Sequence, residues 1–426
     1  MKPVLYLNYF RGFTNTFLQL EDVNFFVGEN STGKTSVLKI IKLLSDTDFW
    51  FKSNLKNLRT EFGYYSEISN NDYFEIGLIS DEFSKFVKMR FIDYQGLPEL
   101  QEVNQVDSYL NIHVVKTPQK ISYKYKGGNY SHFFKENFYA NFESWINNSG
   151  LDDLEFKIAK VDRRFNAPFF LHIQFLISQR IKEKKSLSGL PFPMLLESLA
   201  WLAPIRTEPK RTYDDYELNF SPEGNHIPYI LKKELTVQKP NKHSKDFKRI
   251  LNRFGEDSGL YEKIEVIKLG DSTTSPFEIN IVLNQKTQKI INVGYGVSQI
   301  LPLIVEIVAR TKGTWFALQQ PEIHLHPKGQ AAFGDLLYKS ALLDKKHFIV
   351  ETHSDYTIDR FRLKLKKTIV DNESKKPKSQ VVFFCRNNEG NSLSIIPIYP
   401  NGSYSETQPK EFKEFFIKEE LSLLQI

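Results

Sequence analysis

A chain of 426 residues, 41% hydrophobic and 25% charged, can bury a large core and fits one large domain or a few smaller ones. It contains no run of about 18 apolar residues, and Met1-Lys-Pro-Val-Leu-Tyr-Leu-Asn8 lacks a long apolar stretch, so neither a membrane span nor a secretory signal is expected and the chain reads as cytoplasmic. The single Cys385 excludes an internal disulfide and a cysteine-based zinc cluster, while a net charge of +6 permits nucleic-acid contact without demanding it.

From the N-terminus, the apolar run Val23, Phe25, Phe26, Val27 predicts a short buried strand. Gly28-Glu29-Asn30-Ser31-Thr32-Gly33-Lys34-Thr35-Ser36 follows and matches the phosphate-loop pattern G-x-x-x-x-G-K-[ST] completely. Apolar residues at helical spacing then continue to Leu44. In a strand–loop–helix context, successive backbone N–H groups from Gly28, Asn30, Ser31, Gly33 and Ser36 would hold phosphates at the helix N-terminus. Lys34 would reach the β/γ oxygens and Thr35 would ligate Mg²⁺, so the expected ligands are ATP and Mg²⁺.

Between about Gly63 and Gly127 the pattern alternates, as in Tyr73–Ile79 and Ile121–Tyr125, and predicts antiparallel strands with one wet face. From Ser131 to Ser188 helical spacing returns, notably over Phe169–Ile177. No repeat and no sustained heptad occurs, so a long coiled-coil arm is not expected. A second α/β section opens near Leu195 and includes Phe277–Leu283 as a strand. The expected organisation is therefore residues 1–62 and 63–130 as two parts of one head, 131–194 as an inserted helical segment, and 195–426 as the remainder of the head. Basic clusters at Arg180–Lys185, Lys239–Lys248 and Arg362–Lys378 read either as solvated faces or as nucleic-acid contacts.

Three later segments set polar residues beside apolar stretches: Gly294-Tyr-Gly-Val-Ser298-Gln299, Trp315-Phe-Ala-Leu-Gln319-Gln320, and Phe348-Ile-Val-Glu351-Thr-His353-Ser354. In order with the phosphate loop, they resemble the ATP-binding cassette head of the SMC/OLD-like branch, AAA-type ATPases common in bacterial anti-phage systems. Asn8-Tyr-Phe-Arg-Gly-Phe13 is similar to that family's opening strand and turn, and Trp201–Tyr213 has the same cast. The resemblance implies an α/β fold: an ABC-type P-loop NTPase head with a mixed central sheet, flanking helices and an antiparallel β subdomain.

The segment Gly294–Gln299 resembles the signature motif. Gly296 would let the backbone approach a phosphate and Ser298 would offer a hydroxyl at a helix N-terminus. In the family this surface meets ATP bound by the opposite subunit, which implies an ATP-sandwiched homodimer. The plainer alternative is a glycine turn capped by Ser298. Trp315–Pro327 resembles the Walker B strand running into the D-loop, but Gln319 and Gln320 stand where the family places two acidic residues. Gln319 would then meet Mg²⁺ through a neutral amide, and Gln320 cannot act as a base at neutral pH. Each lost carboxylate would cost roughly 10²–10⁴-fold in the chemical step.

Glu322 either supplies the missing carboxylate or pairs across the dimer. His324 and His326 alternate as metal ligands would, yet two histidines make an incomplete site and H-L-H-P is how the family's D-loop often reads. Glu351–Asp355 resembles the switch segment, with His353 reporting the γ-phosphate; in isolation His353 reads as a satisfied core histidine. The last helix, Phe412–Glu420, is amphipathic and reads as structural.

The expected function is an ATP-gated, dimerising sensor or scaffold with slow hydrolysis, working with a separate nuclease or toxin effector in phage defence. About 70 residues follow His353, fewer than a nuclease domain needs. The alternative is a DNA-repair-type ATPase that clamps DNA in an ATP-dependent way. A P-loop kinase or GTPase would give Ser298 no role.

Overall fold

The computed structural model describes residues 2–52, 61–80, 85–117, 120–135, 137–159, 194–214, 219–272, 274–369 and 375–416. The chain starts with an antiparallel pair, β1 (Val4–Asn8) and β2 (Thr16–Gln19), and continues through β3 (Val23–Gly28), α1 (Lys34–Leu44), α2 (Thr47–Lys52) and the short α3 (Tyr65–Ile68). Strands β4 (Tyr73–Ile79), β5 (Phe86–Tyr94), β6 (Leu97–Val106), β7 (Leu110–Lys116) and β8 (Ile121–Gly127) come next, then α4 (Phe138–Asn147) and β9 (Lys157–Ala159). The predicted helix at Phe169–Ile177 and the basic cluster Arg180–Lys185 lie outside the described residues.

After them come β10 (Leu199–Leu202), α5 (Ile227–Leu235), α6 (Lys242–Ser258), β11 (Lys263–Lys268), β12 (Phe277–Leu283), β13 (Lys286–Lys289), α7 (Tyr295–Ala309), β14 (Trp315–Gln319) and α8 (Pro327–Asp344). The described chain closes with β15 (His347–Glu351), α9 (Asp355–Lys367), β16 (Ser379–Asn387), β17 (Gly390–Ile398) and α10 (Lys410–Phe415).

These elements form two compact units. The first comprises Met1–Leu20, Asn30–Ser198 and Phe384–Leu393; the second comprises Glu21–Glu29, Leu199–Phe383 and Ser394–Ile426. The first unit is built on an eight-stranded sheet in the order β2-β1-β4-β5-β6-β7-β8-β9, with every adjacent pair antiparallel. Its alternating strands put Tyr6, Ile79 and Phe86 on one face, where Phe142, Trp145 and Ile146 of α4 bury against them. Along the same face, Glu75, Arg90 and Glu102 fall opposite one another in register. Arg90 Nη2 donates to Glu75 at 3.0 Å and Arg90 Nη1 to Glu102 at 3.4 Å. This ladder keeps Glu75, Arg90 and Glu102 paired with one another.

The second unit holds a six-stranded sheet, β10-β14-β15-β3-β16-β17, whose members β10, β14, β15 and β3 run parallel. Strand β3 is buried along its whole length, the continuous apolar run that a parallel strand covered on both faces requires. A separate antiparallel ribbon, β11-β12-β13, lies in the same unit. Helix α7 is buried from Val297 through Val308 and so is apolar all round, as a core helix should be. The expected α/β head, with parallel central strands and an antiparallel region, is the fold observed.

Candidate nucleotide site

The sequence-predicted site residues fall into two groups. Asn30–Ser36 belong to the first unit; Gly28, the signature segment and the ends of β14 and β15 belong to the second.

Strand β3 ends at Gly28 with φ of 145°, and the loop turns through Ser31 at 64° and Gly33 at 94°. A side chain at Gly33 is excluded twice, by the left-handed backbone and because a Cβ there would lie 2.6 Å from ring carbons of Phe13. Gly33 is the N-cap of α1 and brings no side-chain acceptor to the helix start. Lys34 is buried, at 4% exposure, and Thr35 is exposed.

Arg11, whose role no sequence pattern displays, contacts this loop from the opening turn. Its Nη1 donates to Ser36 Oγ at 3.3 Å and its Nη2 to the Phe62 carbonyl at 2.9 Å, with the guanidinium over the Phe62 ring. Burial lowers its pKa from the ordinary 12.5. The turn is pinned by Asn391, whose Nδ2 donates to the Arg11 carbonyl at 2.7 Å and whose backbone N–H donates to the Gly12 carbonyl at 2.9 Å. The sequence signal was Arg-Gly between two phenylalanines, both fully buried.

In the second unit, parallel pairing places Gln319, the last residue of β14, opposite Glu351, the last of β15. Gln319 Nε2 donates to Glu351 Oε2 at 2.9 Å, and both residues are buried. Gln320 leaves the strand with φ of 43°, its N–H donating to the Glu351 carbonyl at 2.8 Å. Glu322 then turns back: one oxygen accepts from the Thr352 hydroxyl at 2.9 Å and the other from the His353 N–H at 2.7 Å. Burial raises the Glu322 pKa above 4.5, against the pull of those donors and of the Arg206 charge. The exposed His353 is thus tied to the D-loop through its backbone.

Arg206 joins this strand end to the signature helix. The guanidinium, 3% exposed, donates from Nη1 to the Gln299 carbonyl at 3.1 Å and from Nη2 to the Gln319 carbonyl at 3.0 Å. Burial pushes its pKa down to about 10, with Glu322 opposing, so it stays charged at neutral pH. Sequence reading placed Arg206 in a family-like stretch without a role, because its partners are backbone carbonyls that no pattern displays.

Ser298 lies in the first turn of α7 and donates its hydroxyl to the Tyr295 carbonyl at 3.0 Å. Gly296 is needed for close packing, since a Cβ there would sit 2.8 Å from the His324 carbonyl. His324 has φ of 64° and its ring centroid lies 5.6 Å from that of Tyr295. His326 caps α8, its Nδ1 accepting from Gly329 N–H at 3.2 Å, and Pro327 occupies the first helical position. This geometry explains H-L-H-P as turn and cap chemistry. Among the described residues, no three His, Cys, Asp or Glu side chains gather as a metal cluster.

The family model of the AAA ATPase domain matches residues 1–358. The chain belongs to this family. As an AAA-type domain it is a nucleotide-binding ATPase domain. No curated protein matches it. Among solved structures it is similar to the SMC head bound to the C-winged helix domain of ScpA, at 12% identity over 93% of this chain and 98% of that one, with a TM-score of 0.43. It is also similar to the SMC head domain from Thermotoga maritima, at 13% identity over 92% and 98% of the two chains, with a TM-score of 0.39. The Smc head with an extended coiled coil, bound to a ScpA domain derived from Pyrococcus furiosus, matches at 12% identity over 99% and 100%, again with a TM-score of 0.39. Among the described residues, no helix is long and apolar enough to cross a membrane.

Proposed function

We propose that this AAA ATPase domain is a switch of the SMC/OLD-like type that binds ATP with Mg²⁺, closes into a homodimer around it, and hydrolyses it slowly. One contrast carries the reading: the phosphate loop is complete, whereas the end of β14 offers the neutral amides of Gln319 and Gln320. Lys34 would neutralise β/γ-phosphate charge. The donor set suits Mg²⁺, a hard cation that takes oxygen ligands: the Thr35 hydroxyl and the Gln319 side-chain oxygen would hold it. Bound there, the ion would offset phosphate charge. Gln320 can orient a water by hydrogen bonding but cannot take its proton. Glu322 is engaged by Thr352 and His353 and acts as a brace between the D-loop and the switch segment.

Ser298 and the N-terminus of α7 would meet ATP held by the second protomer, and His353 would report the γ-phosphate. The motif resemblance supports an anti-phage setting with a separate nuclease or toxin as effector. In the ATPase test, native turnover is slow and Gln320→Glu raises it about 100-fold, the contribution of a placed base. Brisk native turnover, unchanged by the substitution, overturns the slow-switch reading. Light scattering tests closure: ATP doubles the mass of native protein but not of Ser298→Arg.

A further inference from the structure

The carboxylate that β14 lacks is present one strand away. We propose that Glu351 supplies the anionic side chain at the metal accompanying the triphosphate, with Gln319 as its neutral companion; this assignment rests on the ATP–Mg²⁺ reading above.

Three observations carry it. First, Glu351 ends β15, which lies between β14 and β3 in the sheet. The parallel register sets Glu351 beside Gln319 on one side and beside Phe26 on the other, two residues before Gly28 opens the phosphate loop. Thr352 N–H continues that pairing with a 3.1 Å bond to the Phe26 carbonyl. Glu351 is thus on the strand adjoining the one that delivers the loop, at the same carboxyl end of the sheet, where open α/β sheets bind ligands.

Second, the hydrogen bond fixes which way Gln319 faces. An ionised carboxylate only accepts, so the Gln319 group 2.9 Å from Glu351 Oε2 is its NH₂, and its oxygen points elsewhere. Amide oxygen and carboxylate then form a neighbouring pair of hard donors, suited to a divalent cation. Third, Glu351 is only 5% exposed. A buried carboxylate interacts with a dication far more strongly than one in water.

The test measures affinity for a non-hydrolysable ATP analogue by calorimetry, in Mg²⁺ and in EDTA, so that turnover plays no part. Native protein binds more tightly in Mg²⁺. Glu351→Gln retains the EDTA affinity and loses about tenfold of the Mg²⁺ enhancement. Adding Gln319→Glu to that variant restores the enhancement, because the charge returns to the neighbouring strand end. Glu351→Asp, which keeps the charge, holds most of it and guards against a folding defect in the Gln variant. A Glu351→Gln protein with the full Mg²⁺ enhancement overturns the assignment, as does failure of Gln319→Glu to rescue a folded variant. A contact that merely joined two strands would lower affinity equally in both conditions, which also overturns it. Native protein that binds no analogue in either condition overturns the ATP-binding reading itself, a separate and recognisable result.

Discussion

The phosphate loop and the end of β14 are two parts of one predicted chemistry, but they are encoded differently. At the loop, the proposed function would depend on backbone direction: left-handed Gly33 against Phe13 leaves room for nothing larger, and the helix start carries no side-chain cap. At β14, the proposed function would depend on side-chain charge, and the charged groups come from scattered places. Arg206 precedes Gln319 by 113 residues and Glu351 follows it by 32. A contiguous motif can specify a backbone shape. Charge can be contributed by any residue that the fold brings near, as Glu351 would beside the neutral Gln319 on the proposal above.

If this contrast is right, the most damaging change near β14 removes a residue outside the motif. Arg206→Met leaves the Gln299 and Gln319 carbonyls without their donor, and each buried unsatisfied group costs about 1–3 kcal/mol. The expected loss is about 3 kcal/mol in urea unfolding, with weakened ATP-driven dimerisation because the signature helix loses its tie to β14. A loss of only a few tenths would show that the strand end keeps its shape without the guanidinium.

What could be read beforehand follows the same division. Strand β12 was expected at Phe277–Leu283 and is found there, because short apolar alternation is a local signal. The phosphate loop and α1 were legible for the same reason. Ser298 lies in the first turn of α7, and its hydroxyl bonds to the Tyr295 carbonyl, a partner that only the finished turn reveals. Helix α7 begins at Tyr295, ahead of Ser298, because Gly294 is extended and Gly296 can lie against the His324 carbonyl. The support from Arg11 and the pairing of Gln319 with Glu351 were not legible. Both depend on strand order and register, which bring together residues distant in sequence.

The loop side of the comparison is sharpened by two alanine substitutions. At Gly33 a methyl group would meet Phe13 in a left-handed backbone, so Gly33→Ala should cost about 2 kcal/mol and weaken ATP binding strongly. At Gly294 nothing lies within 4 Å of a Cβ and φ is −61°, so Gly294→Ala should stay within about 0.5 kcal/mol of native. Thermal melts with and without ATP separate the two. Equal effects would mean that glycine in these motifs reflects general flexibility rather than a specific approach.

An effect smaller than those at Arg206 and Gly33 probes whether charge also anchors α7 from behind. Glu306 of α7 is almost wholly buried, accepting from His226 Nε2 at 3.0 Å and from Arg310 Nε at 2.6 Å. His226 Nδ1 accepts from the Ser221 N–H at 3.2 Å, which leaves Nε2 as the donor toward Glu306. Burial pushes the Glu306 pKa up, but the His226 hydrogen bond and the Arg310 charge together bring it below 4.5. A carboxylate depressed in the folded state contributes stability above its unfolded value, and that contribution fades as pH falls through the folded value. Glu306→Gln, which turns an NH₂ toward one of the two donors, should therefore cost about 1 kcal/mol near pH 7. The gap from native should close as the pH is lowered through and below 4.5. Urea melts from pH 7 to pH 3 give the profile. A gap that stays constant would assign Glu306 a packing role alone, leaving the strand ends as the charge-dependent part of this unit.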